Sequence, residues 1–298
     1  MLHVMTTSRT LLKTLVLLSA VLVSNVHAAE GTSTPVQLAL WNPVQIFDSE
    51  QSVTGFRYSL LWGVNKDVVG LDLSTAASSA NGDMIGVQWA VVLNQVKGSV
   101  SGLQSSVVAN QAEGGFFGLQ LSAVNIVYGD MSGIQLSGMG ARNREGHTRG
   151  IQVGAITSIA EDSTGLQVSS SGNVMKRGRG LQVVGGFNAA ESITGAQIAG
   201  LLNVVDGGET MGIQGAGVAN YADDLIGAQV ASLANIAGNM TGFQFSSIFN
   251  VAKDVKGVQI SGLLNIANDT KGLQLGLLNF NKNGFLPFFP RLLFNIGL

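Results

Sequence analysis

The chain has 298 residues, 40 of them glycine, with no cysteine, three histidines, four prolines and only 11% charged residues. Without cysteine there is no disulfide scaffold, thiolate metal site, cysteine nucleophile or lipid-bearing N-terminal cysteine. The formal net charge of −2 gives no general attraction to nucleic acid. Scarce proline, without glycine at every third residue, excludes collagen.

Residues 1–28 read as a secretory signal peptide. Arg9 and Lys13 form the positive start, Leu15 to Val23 the apolar core, and Val26-His27-Ala28 the small-residue cleavage site. That core is too short to span a bilayer as a helix. Export of a cysteine-free chain fits a bacterial periplasm or surface better than eukaryotic secretion. Residues 29–54, with Pro35, Trp41 and Pro43, read as an N-terminal cap.

Residues 55–282 are one repeat. Gly-apolar-Gln occurs thirteen times, starting at Gly86 and ending with the copy at Gly272. Two degenerate copies precede them, Gly55-Phe-Arg and Gly70-Leu-Asp, and successive glycines lie 15 to 17 residues apart. With each glycine as position 0, positions 1 and 3 are apolar, 2 is Gln, 4 and 5 are small, 6 is mostly apolar and 8 is mostly Asn. The alternation at 1 and 3, and again at 6 and 8, is strand-like, and the small residues between them break the parity. Fifteen residues cannot hold two helices and a turn. The expected fold is therefore all-β, a β-solenoid of about fifteen 15-residue coils stacked about 4.8 Å apart.

In that fold, leucines and valines are expected to stack into an inner core. Glycine fits a sharp turn or a close backbone approach. Stacked amides form structural ladders, with Gln182, Gln197, Gln214, Gln229, Gln244, Gln259 and Gln274 in one and Asn188, Asn203, Asn220, Asn235, Asn250 and Asn265 in the other. A flat face of Gln and small residues is expected to meet a partner. Residues 283–298 read as a C-terminal cap whose four phenylalanines plug the last coil.

The alternative is a transmembrane β-barrel of about 16 strands, a pore or anchor, with about eleven residues of each repeat crossing the membrane. Against it, position 6 would face the lumen yet is more reliably apolar than position 7, and aromatic girdles are lacking. Antiparallel strands also give no reason for each repeat to copy the last.

Gly272-Leu-Gln-Leu-Gly-Leu-Leu-Asn279 followed by Asn283-Gly-Phe-Leu-Pro-Phe-Phe-Pro290 resembles a bacterial surface-repeat family found in spirochaetes and other Gram-negative bacteria. The resemblance runs from about residue 55 to the C-terminus, and its first two repeats lack the Gln. It implies export and an envelope location, and carries no activity.

Chemistry-bearing patterns are few. With His3 and His27 in the signal, an acid–base site would have to use His147, which falls in an enlarged loop, Arg142 to Arg149. No Gly-x-Ser-x-Gly elbow is present. Glu161-Asp162, Asp206 with Glu209, and Asp223-Asp224 read as solvated turns rather than a calcium repeat. No catalytic, cofactor or metal residue is assigned, and the chain reads as a non-enzyme. Arg142, Arg144, Arg149, Lys176, Arg177 and Arg179 are expected on one turn, as a patch for anionic envelope groups or simply as solubilising charge. The expected role is an exported structural or surface-interaction protein of the cell envelope. Its expected partner is envelope polysaccharide, lipid or protein.

Overall fold

The computed structural model describes residues 33–284 and 291–297. The signal expected at 1–28 lies outside them. Every regular element among the described residues is a β-strand. Contacts gather the chain into two units. The first runs to Gly138 and takes in Arg142–Gly146; the second comprises Met139–Ala141 and His147 onward.

Each unit is a β-solenoid. In the first, Gly118 lies beside Gly102, Gln120 beside Gln104 and Asn125 beside Asn110, all in parallel register. In the second, strand Phe249–Ser261 runs parallel to Leu264–Asn281, with Gly257 beside Gly272 and Asn250 beside Asn265. Every residue thus sits on its own copy one repeat earlier. A membrane barrel of this kind needs antiparallel neighbours, so the barrel alternative is overturned. Asn125 comes one place early in its repeat, and a shorter bend restores its register.

The repeat glycine fixes the period. All fifteen have φ between +124° and +143°, a region that residues with a Cβ rarely occupy. A Cβ on Gly242 would also lie 2.0 Å from the carbonyl oxygen of Gly227 below it. Conformation and stacking both demand glycine at this point of each coil.

The interior differs from the expected one. Positions 1 and 3 point outward: Ile198 is 49% exposed and Val230 and Phe245 each 42%. The Gln at position 2 and the Asn at position 8 point inward, and both ladders are fully buried. The Gln-lined outer face is therefore overturned, and the leucines and valines of positions 1 and 3 are not the core. The apolar interior comes instead from position 10 and from the residue two before each glycine. In the first unit these pack as one cluster with Val68, Met84 and Phe116; in the second, with Ile193, Leu225, Met240 and Val255 against Ala222, Ala237 and Ala252. Volume is conserved across this pair of positions. Gly178 stands where others are large, and Met175 fills the space, its Sδ lying where a Gly178 Cβ would go.

Position 4 also faces inward and is Ser, Ala or Gly in every repeat except the one that carries Val184. The hydroxyls of Ser246 and Ser261 are buried without a hydrogen-bond partner, while Ala199 and Ala231 fill the same place in other coils. Removing an unpaired buried hydroxyl costs no hydrogen bond. Ser246→Ala with Ser261→Ala is expected to leave stability unchanged or raise it by up to about 1 kcal/mol. A urea titration checks this, and a clear loss would show that the hydroxyls are paired.

The ends close the polar interior. At the C-terminal end, strand Arg291–Gly297 lies antiparallel on Leu264–Asn281. Asn295 there donates to Gln274 Oε1 at 2.6 Å. Of the four phenylalanines expected to plug this end, Phe294 is 59% exposed, and Phe285, Phe288 and Phe289 lie outside the described residues. At the other end, strand Ser33–Trp41 runs parallel to Ser52–Asn65, so coil-like stacking begins inside the expected cap.

Candidate interaction surface

The ladders are continuous hydrogen-bonded files. In the second unit, from Gln167 onward, each Gln Nε2 donates to the Oε1 of the preceding coil, as from Gln182 to Gln167 (2.8 Å), Gln197 to Gln182 (2.7 Å), Gln214 to Gln197 (2.9 Å) and Gln229 to Gln214 (2.7 Å). Gln244, Gln259 and Gln274 continue it. The Asn file runs the opposite way. Asn188 donates to Asn203, and the chain passes through Asn220, Asn235, Asn250 and Asn265 to Asn279. From Asn188 to Asn265 each Asn Nδ2 also reaches a backbone carbonyl at the bend of the next coil, as from Asn235 to Phe245 O at 2.7 Å. The amides thus satisfy one another and the buried bend carbonyls.

In the first unit the Gln file ends on charge. Gln88 Nε2 donates to Asp72 at 3.1 Å, and Asp72 receives Arg57 through Nε (2.8 Å) and Nη2 (2.7 Å). Both side chains are fully buried. Arg57 also donates to Ser79 O at 2.8 Å and to Ser78 Oγ. A file in which every amide donates toward the N-terminus needs a pure acceptor at its head. Asp72 is that acceptor, and the Arg57 fork neutralises it. The two degenerate repeats are the ladder's terminator.

The six basic residues are divided between the two units. Arg142 and Arg144 belong to the first unit and the other four to the second. Arg144 stacks 5.1 Å from the centre of the Tyr128 ring. Lys176 is tied to Glu161 (2.8 Å) and Arg177 to Asp162 (2.7 Å), each one coil earlier. Arg149 and Arg179 instead stand one residue before their glycines, in a single outward column with Thr164 between them. Exposed pairs of this kind add little stability but cancel half of the second unit's share of the patch.

The acidic turns are also occupied. Asp223 accepts from Tyr221 Oη at 2.7 Å and from the Gly207 N–H at 2.6 Å. The Tyr221 hydroxyl first, and the Gly207 amide second, hold its carboxyl below the usual range. A lowered pKa favours the fold above the ordinary carboxylate range, and that contribution disappears as pH falls through the lowered value. Tyr221→Phe is expected to move the Asp223 titration up, read by carboxyl NMR; an unmoved titration would count against the contact. Asp224 accepts from Asn239 at 2.7 Å. No group of three or more metal-ligating side chains occurs among the described residues. His147 opens strand His147–Gly154 rather than a free loop, and its Nε2 lies 2.9 Å from Thr164 Oγ1.

One cleft, of about 330 Å³, opens in the first unit beside Trp62, over a floor of Val64 and Ala80. It exists because the coil Ala77–Ala80 carries small residues between larger neighbours. Asn81, Gln95 and Lys97 line it, and neither carboxylate nor histidine does.

What remains is the outer face. From the coil at Gly86 onward, positions 0 to 8 carry no charged residue in any repeat. Within each unit, positions 1 and 3 form two outward, mostly apolar columns, and in the second unit position 6 adds a corner where Leu201, Leu233, Ile248 and Leu263 are exposed. An apolar surface of this extent marks an interaction site more often than a solvated one. No helix among the described residues is long and apolar enough to cross a membrane. No family model, curated protein or solved structure matches the chain.

Proposed function

We propose that the chain is an exported, non-enzymatic repeat protein of a Gram-negative cell envelope, acting as an interaction scaffold. The observation that carries this is the charge-free apolar face repeated coil after coil on a backbone that the amide files hold in register. A regular sheet face with few loops suits contact, not catalysis. The signal-like residues 1–28 and the resemblance of the repeats to a bacterial surface family support the envelope address. An apolar face favours a protein or lipid partner over polysaccharide, which calls for stacked aromatics and many polar groups. The test is envelope fractionation with surface proteolysis, on the parent chain and on Ile198→Lys with Ile213→Lys. The parent is expected in the envelope fraction, and the variant, folded by circular dichroism, is expected to be released. A parent found in the cytoplasm, or a variant retained as well as the parent, would overturn the reading.

A further inference from the structure

We propose that the apolar face of the second unit packs against the same face of a second copy of this chain. The inference rests on the reading of that face as an interaction surface, and it names the occupant.

Charge and pitch favour a like partner. No charge falls at positions 1 or 3 between Gly150 and Gly272, so an ionic partner gains nothing there. A second copy presents the same coil spacing of about 4.8 Å, and two such sheets interdigitate at about 10 Å. Nine coils in a strip about 15 Å wide offer roughly 650 Å² per copy, near the roughly 800 Å² per partner of a standard interface.

The relief of the face is self-complementary. Phe243 and Phe245 form a ridge in one coil. Two coils earlier Gly215 leaves a hollow, where a Cβ would meet nothing within 4 Å. Gly215 lies between Ile198 and Val230 in the same outward column, and Val230 lies beside Phe245. Ridge and hollow are therefore one coil to either side of Val230. A twofold axis through Val230, parallel to the strands, reverses the coil order. It lays Phe245 of each copy over Gly215 of the other. Such an isologous contact closes at two copies. Lipid chains would also accept an apolar strip, but they need no hollow matched to a ridge.

The test is sedimentation equilibrium of the purified chain. A dimer is expected. Val230→Lys is expected to give a folded monomer, while Ile236→Lys, exposed on the other side of the coil, leaves the dimer intact. Gly215→Phe and Phe245→Gly are each expected to weaken association about tenfold or more, and the double variant, which exchanges ridge and hollow, to recover to within about threefold. A monomeric parent, a dimer untouched by Val230→Lys, or additive losses in the double variant would overturn the proposal. A monomeric parent whose envelope retention still depends on Ile198 and Ile213 would overturn the self-pairing alone. A dimer whose retention ignores those residues would overturn the envelope reading alone.

Discussion

Gly242→Ala is expected to destabilise the fold by at least about 3 kcal/mol, and Gly215→Ala not to destabilise it. At Gly242, φ is +138° and the new Cβ would meet the Gly227 carbonyl oxygen at 2.0 Å. That oxygen is backbone of the coil below, so relief requires two coils to separate, which breaks the ladder between them. At Gly215 the added methyl meets nothing within 4 Å. With no conflict in the fold, the smaller entropy of the unfolded chain favours Ala by up to about 1 kcal/mol. Both variants are read by urea denaturation. Equal effects would mean that the repeat glycines are kept for some reason other than stacking.

Breaking the buried ion pair has the other large effect. Asp72→Asn leaves the Arg57 guanidinium in a fully buried site without its counter-charge, and Arg57→Gln does the same to Asp72. Each single change is expected to cost about 3–5 kcal/mol. Arg57→Gln with Asp72→Gln instead extends the amide file by two rungs. The double variant is expected within about 1 kcal/mol of the parent, or above it, because a buried ion pair seldom outweighs its own desolvation. Losses that simply add would show that the pair is not acting as the head of the Gln file.

The period, the register and the amide files were legible in the sequence because stacking makes them literal. Each Gln and Asn must sit on its copy to be satisfied, so the spacing that places Gln244 on Gln229 appears directly as a repeat. The direction of the side chains was not legible. The usual reading of alternation puts Phe245 inside and Gln244 outside, on the premise that only water can satisfy an amide. Here the neighbouring coil satisfies it, and the preference inverts. Small residues such as Ser246 and Ala252 leave an interior too narrow for the large residues of positions 1 and 3.

The ion pairs carried a signal in the chain. Arg57 and Asp72 occupy the Gln position and lie 15 residues apart. Glu161 and Lys176, and Asp162 and Arg177, also lie 15 apart. In a stacked repeat, opposite charges one period apart are direct neighbours. That rule would have dissolved the basic patch at Lys176 and Arg177 and marked the terminator at Arg57. The closing role of Asn295 had no such signal, because its strand runs antiparallel and outside the period.

The inverted interior is tested most directly by thiol labelling, which a chain without cysteine permits at single introduced sites. Phe245→Cys and Ser246→Cys are adjacent changes, one at a half-exposed outward residue and one at a residue only 1% exposed. Serine and cysteine are close in size, so the second variant keeps the packing. Labelled at a dilution where the chain is monomeric, the Phe245→Cys thiol is expected to react with a maleimide in the native state, and the Ser246→Cys thiol only on unfolding. Rapid native-state labelling at 246 with protection at 245 would contradict a solenoid that keeps its amides inside and its apolar columns outside.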